Sequence, residues 1–206
     1  MKKRKNKDFK PYLVAITGNF GSGKSAVGSL LKDDGFLLID TDEIVNEILK
    51  SENPVTEKIL AEFGSDIKNT NSDYLINKKK LASIIFSNEI KRKKLESIVH
   101  PAVGEAIFAI FSLNQSEEII FVSVPLLFEC NLEGNYHEVW CVKCDKDVQL
   151  SRLESRGFSI EESNKRISSQ MSPDKKESLS DFVIDNSGQI ENTRSQIDEI
   201  LKNRFN

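Results

Sequence analysis

Tyr12-Leu-Val-Ala-Ile-Thr17 runs directly into Gly18-Asn-Phe-Gly21-Ser22-Gly23-Lys24-Ser25. An apolar, partly β-branched stretch thus enters a turn with the spacing G-x-x-x-x-G-K-[ST]. This is the P-loop pattern, set between a strand and a helix as its chemistry requires. Gly18, Gly21 and Gly23 can take backbone angles closed to other residues, so amide N–H groups reach phosphate oxygens unobstructed. The helix that opens near Lys24 adds further N–H donors and the positive end of its dipole. Lys24 offers a movable cation to β- and γ-phosphates, and the Ser25 hydroxyl can ligate Mg²⁺.

Working outward, 206 residues suffice for one α/β domain with a smaller helical region. Hydrophobic residues make up 38% and charged residues 30%, so the chain can build a core and keep a solvated surface. A net charge of −3 gives no general case for nucleic-acid binding. No apolar run approaches the roughly 20 residues of a membrane span. Lys2-Lys3-Arg4-Lys5 is followed by polar residues, unlike a secretory signal. The expectation is a cytoplasmic protein with a basic, solvated tail over residues 1–11. Cys130, Cys141 and Cys144 show no disulfide framework. Cys141-Val-Lys-Cys144 lacks a second ligand pair and reads as buried free thiols on a strand.

Strand one and its helix near 24–33 are followed by Phe36–Ile39, a short apolar strand of the fully buried kind, ending in Asp40-Thr-Asp42. From 42 to 112 apolar residues recur at threes and fours, including Ile44, Val45, Ile48 and Leu49, then Ile59, Leu60 and Phe63, then Leu81, Ile84, Ile85, Leu95 and Ile98. Residues 68–73 read as a loop. Buried strands recur at 119–124, 139–142 and 182–184. Helices are expected at 146–156 and 160–171, broken at Arg156-Gly157-Phe158, and a final helix of about fifteen residues follows Gly188. The alternation predicts a five-stranded parallel sheet with helices on both faces. The expected organisation is a core of 12–41, 119–145 and 181–203, a helical substrate-binding region of 42–112, and a lid of 146–172.

Open parallel sheets bind ligands at the carboxyl ends of their strands. Asp40, Asp42, Pro125 and Asp185-Asn186 fall at such ends, on the edge expected to carry a triphosphate. One carboxylate can hold Mg²⁺ while the other takes a proton from an acceptor hydroxyl. The same Asp-x-Asp is also good helix-capping chemistry, and Asp42 can serve as a cap. Arg152 and Arg156, spaced i, i+4, can swing over phosphates as lid arginines or pair on the surface with Glu154 or Asp147. His100 precedes Pro101 and is expected in an extended or turn conformation. No Ser-His-Asp set or zinc site can be assembled from His100 and His137.

Taken together, these motifs resemble the dephospho-coenzyme A kinase family. The similar residues are 16–25, Ile39-Asp-Thr-Asp42, Phe63-Gly64, Leu95 to Pro101, Val124-Pro-Leu-Leu-Phe-Glu129, Gln149 to Arg152 with Arg156, Gln170, and Asp181 to Asn186. They run in the family's order over most of 12–203. The resemblance implies a P-loop kinase that uses ATP and Mg²⁺ to phosphorylate the ribose 3′-hydroxyl of dephospho-CoA. It implies Asp42 as general base and Asp40, with Ser25, near the metal. Lys24 and Arg152 would stabilise the transferring phosphoryl group. Gly18, Gly21, Ser22, Gly23, Lys24, Ser25, Ala26, Arg156 and Asn186 would contact the nucleotide. His100, Pro125 and Leu126, with Asp42, would face dephospho-CoA. A monomer is expected, with an oligomer left open.

Three departures stand out: Asn19 for the family's usual Gly, Ala26 for Thr, and Asn77-Lys78 for Asp-Arg. None removes a residue the mechanism requires. Other readings are a kinase of a nucleoside monophosphate or of shikimate, and a GTPase-like switch. The switch would need Asn-Lys-x-Asp, and neither Asn77-Lys-Lys-Lys80 nor Asn164-Lys-Arg-Ile167 supplies the last Asp.

Overall fold

The alternation along Tyr12–Thr17 sets the two faces of the sheet. A computed structural model describes residues 11–69, 73–86 and 88–205, which leaves most of the basic amino-terminal tail outside. Tyr12–Thr17 is β1, the central strand. It pairs in parallel with β3 (Ile119–Ser123), Val14 opposite Phe121, and with β4 (Glu138–Lys143), Ala15 opposite Val139. β5 (Phe182–Asp185) pairs in parallel with β4, and β2 (Leu37–Asp40) flanks β3, giving the order β2-β3-β1-β4-β5. The expected five-stranded P-loop sheet forms.

One face buries Val14, Ile16, Phe121, Trp140, Val142 and Ile184 against α1 (Lys24–Asp33) and α9 (Ile190–Phe205). The other face buries Ala15, Ile120, Val122, Val139 and Cys141. There α8 (Pro173–Leu179) lies on β4. Each buried Val, Ile or Phe among these contributes about 1.5–3 kcal/mol by leaving water. β2 departs from the expectation of a fully buried strand, for only Ile39 is buried. It is an edge strand, and its best cover is a close approach of Leu38 to Gly28 of α1. A β-carbon at Gly28 would lie 2.6 Å from Leu38 Cδ2.

Residues 40–114 form a second unit, the rest of the chain the first. Its helices are α2 (Thr41–Ile48), α3 (Pro54–Phe63), α4 (Lys78–Phe86) and α5 (Glu89–Leu113). The spacing of apolar residues becomes a core of Leu49, Ile59, Ile67, Ile76, Leu81 and Val99, with Val45, Leu60, Phe63, Leu95 and Ile98 against it. Asn53 and Thr56 form a reciprocal capping box at α3, with Pro54 preset for the first turn. Within the polar stretch 68–73, Lys68 pairs across a single antiparallel bridge with Ile76; residues 70–72 lie outside the described residues.

The expectation for His100 is overturned: His100 and Pro101 are helical, inside α5. Packing of Val99 and Val103 on either side outweighs a proline cost of about 3 kcal/mol. By length and composition alone α5 could also cross a bilayer, although no unbroken apolar run of that length lies within it. It carries His100, Pro101 and Glu105 in its length and packs on α2, α3 and α4.

All three cysteines are free thiols, but only Cys141 is buried; Cys130 and Cys144 are partly exposed. Burial pushes the Cys141 thiol up to about 11, which keeps it protonated and unreactive. Among the described residues no group of three or more His, Cys, Asp or Glu could hold a metal ion.

At the amino-terminal end of β4, Glu138 is only 2% exposed and collects four donors. Arg204 of α9 donates through Nε at 2.8 Å and Nη2 at 2.6 Å, Trp140 Nε1 at 2.7 Å and the Tyr12 hydroxyl at 3.3 Å. Arg204→Ala strands a buried carboxylate and is expected to cost about 1–3 kcal/mol. A lowered urea midpoint with unchanged kcat would show this; an unchanged midpoint would count against it.

Candidate active site

After Thr17 the backbone turns away from β1 through Gly18, at φ +149, and re-enters a helix through Gly23, at φ +96. Neither position has room for a side chain. A β-carbon on Gly18 would sit 2.3 Å from the Val142 carbonyl oxygen, and one on Gly23 1.8 Å from Asn186 Nδ2. The Ser22 amide donates to the Asn19 carbonyl at 3.1 Å and closes the turn. Gly23 is the N-cap of α1 and offers no side chain to satisfy the first-turn amides, an arrangement suited to an anion. Lys24 Nζ donates to the Gly18 carbonyl at 2.8 Å and the Asn19 carbonyl at 3.3 Å, which holds the ammonium within the loop.

A cavity of about 160 Å³ opens beside this loop, lined by Gly23, Ala26, Arg152, Arg156, Asn186, Gly188 and Ile190. Arg152 projects from α6 (Lys146–Ser155), and Arg156 is the residue that caps it. Burial raises the Cys144 thiol overall, while the Arg152 side chain hydrogen-bonds with it and brings a positive charge that favours the thiolate. Arg152 Nη1 is buried without a hydrogen-bond partner, and so is the Ser22 hydroxyl. Buried polar atoms of this kind are costly unless a ligand or a bound water meets them. The Asn186 side chain is mostly committed to structure. Its Nδ2 donates to the Ser22 carbonyl at 3.0 Å and its Oδ1 accepts from Thr193 at 3.0 Å, so it buckles the end of β5 to the P-loop.

The segment after β4 grips the loop from the other side. Phe20 donates its amide to Gln170 Oε1 at 2.7 Å, and its carbonyl accepts from Gln149 Nε2. Asn19, the unusual second residue of the loop, donates through Nδ2 to the Met171 carbonyl at 3.0 Å. Phe20 also meets Phe158 edge to face, and Arg166 of α7 (Ile160–Ser168) lies over both rings. The chain reverses between α6 and α7 at Gly157, φ +86, where a β-carbon would meet open space. Gln149 and Gln170 enter the sequence reading only through the family resemblance and Gly188 only as the start of the last helix, while Ile190 gives no signal; the turn after β5 brings Gly188 and Ile190 to the cavity.

At the carboxyl end of β3, Pro125 opens a turn in which Leu126 is 38% exposed. In the second unit, Asp40 ends β2 and is the N-cap of α2, its Oδ1 accepting from the Asp42 amide at 2.9 Å. Capping therefore falls to Asp40, correcting its assignment to Asp42, which sits exposed in the first helical turn. His100 is exposed on α5.

The sequence profile of the dephospho-CoA kinase family matches residues 12–192. The chain belongs to the dephospho-CoA kinase family. A dephospho-CoA kinase of Oceanobacillus iheyensis is 38% identical over 92% of this chain and 96% of its own. One of Carboxydothermus hydrogenoformans is 40% identical over 92% and 93%. A Thermus thermophilus protein of known crystal structure superposes with a TM-score of 0.80 at 28% identity, over 95% of this chain and 99% of that one. The Campylobacter jejuni dephospho-CoA kinase shares the fold at a TM-score of 0.63 and 24% identity, over 92% and 95%. Membership of the dephospho-CoA kinase family makes the chain a P-loop transferase of coenzyme A biosynthesis, using ATP to phosphorylate dephospho-CoA.

Proposed function

We propose that the transfer goes to the ribose 3′-hydroxyl of dephospho-CoA, with Asp42 as the general base. The single observation that carries the donor half is one atom, Arg152 Nη1, buried without a hydrogen-bond partner beside Gly23 on an otherwise partly exposed side chain. It is chemistry for a phosphate oxygen. Lys24 and Arg152 draw charge from the γ-phosphoryl group as it moves between oxygens, Arg156 extends that positive lining, and the loop amides hold the β-phosphate. Asp42 accepts the hydroxyl proton as the oxygen attacks the γ-phosphorus. Gly18, Gly21, Ser22, Ser25, Ala26 and Asn186 complete the nucleotide contacts. Pro125, Leu126 and His100 are assigned to dephospho-CoA.

Ser25 and Asp40 are the oxygen donors assigned to Mg²⁺, which when bound neutralises phosphate charge. Asp40 Oδ1 accepts from the Asp42 amide at 2.9 Å, and an ionised carboxylate has acceptor capacity beyond one such bond, which supports that assignment. Residues 42–112 are read as the acceptor-binding region and 146–172 as the lid. Three free thiols support a reducing, cytoplasmic location, and a monomer is the proposed form.

Two measurements test this reading. The product formed from ATP and dephospho-CoA should match authentic coenzyme A and lose its new phosphate to a 3′-nucleotidase; phosphate resistant to that enzyme would exclude the 3′ position. Hydrogen exchange over residues 157–168 should slow on adding a non-hydrolysable ATP analogue, because the Gly157 turn lets α7 close while Gln149 and Gln170 already hold the loop. Exchange unchanged at saturating analogue would count against a lid there.

A further inference from the structure

Lys176 of α8 is fully buried, at 0% exposure, although the pair Lys175-Lys176 looks like surface in the sequence. Its ammonium reaches Glu129 Oε1 at 2.9 Å and donates to the Pro125 carbonyl at 2.9 Å. The same Pro125 carbonyl accepts from the Thr17 hydroxyl at 3.4 Å, on the last residue of β1. Glu129 Oε1 in turn accepts the Met171 amide at 2.8 Å, and the Met171 carbonyl accepts from Asn19 of the P-loop. Glu129 Oε2 is buried and has no partner. A buried ion pair is a weak source of net stability, because desolvation offsets most of its attraction. What this pair does have is geometry: two charges fix three backbone segments, at 125, at 171 and through Asn19 at the loop.

We propose that Lys176 and Glu129 are positioning residues for the phosphotransfer, holding the Pro125–Leu126 turn in register with the P-loop. Neither need touch a substrate. Lys176 sets the turn through the Pro125 carbonyl, and Glu129 sets the strap that carries Met171 and steadies Asn19. The proposal rests on the reading of that turn as a wall facing dephospho-CoA.

Three variants of the full chain test it by steady-state kinetics and melting. Lys176→Met, similar in length, removes both contacts of the ammonium. It should raise KM for dephospho-CoA about tenfold or more while KM for ATP changes less than threefold. Because Lys176→Met leaves Glu129 charged, buried and unpaired, it can also fail to fold. The double variant Glu129→Gln with Lys176→Met carries no unpaired charge, and its amide oxygen can still accept from Met171. The double variant should regain melting temperature, yet keep the raised KM for dephospho-CoA, since the Pro125 carbonyl stays unanchored. If its KM returns to the parent value along with its stability, the pair is merely structural and the proposal is overturned. Leu126→Ala, on an exposed side chain, separates the two readings. If it raises KM for dephospho-CoA and the lysine variants do not, the positioning role is wrong and the wall stands. If none of the three moves that KM, the wall reading fails and takes the proposal with it.

Discussion

Lys24→Ala is expected to lower kcat by about 10²–10³-fold, the usual loss when one preorganised charge-stabilising group leaves a phosphoryl or oxyanion site. The size follows from where charge moves. In a loose phosphoryl transfer it spreads over the γ-oxygens and the leaving oxygen, so a cation fixed there stabilises the transition state more than bound ATP. The structure holds Nζ by two loop carbonyls, so little reorganisation is needed to meet phosphate. The fold should survive. Lys24 is the first residue of α1, outside the buried core, and alanine is a good helix former. Rapid-quench turnover with a thermal melt checks both halves. A variant that melts normally and turns over at near-parent rate would show that the phosphates are held elsewhere.

Asp42→Asn is expected to lose about 10²–10⁴ in kcat, the range of a positioned general base, with ATP affinity close to normal. Asparagine keeps the shape and removes the proton acceptor. The helix-capping explanation of this aspartate predicts no change, since Asn caps as well as Asp. The structure sharpens the contrast, because the cap of α2 is Asp40. Asp40→Asn should therefore keep its cap and stability but raise the Mg²⁺ concentration needed for half-maximal rate, as it removes a charge assigned to the cation. Measuring kcat, Mg²⁺ dependence and melting on both variants decides it. A fully active Asp42→Asn enzyme removes the general-base role, and exchanged phenotypes would mean that the two carboxylates have each other's role.

The P-loop, the sheet and most of the helices were legible because they rest on short-range patterns. Gly18 to Ser25 is contiguous, and the strand interiors 119–122 and 139–142 are runs of apolar residues. Where tertiary position decides, the residues misled. Phe36–Ile39 looks as buried as any central strand, but nothing local says that β2 lies at a sheet edge. His100-Pro101 carries the local signature of a break, and packing around Val99 carries the helix through it. Residues 173–179 are short, polar and charged, so α8 was not expected at all. Lys176 is the sharpest case. Its burial depends on Glu129, 47 positions earlier, and no spacing rule links them. In the sequence Asn19 is only a departure from the family's usual Gly; the structure shows a bond to Met171 that a glycine could not make.

The most direct test offers the full chain ATP and Mg²⁺ with dephospho-CoA, AMP, CMP and shikimate in parallel, and measures kcat/KM for each acceptor. Dephospho-CoA should be phosphorylated to coenzyme A, with the other three slower by orders of magnitude. Comparable or faster phosphorylation of AMP, CMP or shikimate would contradict the account.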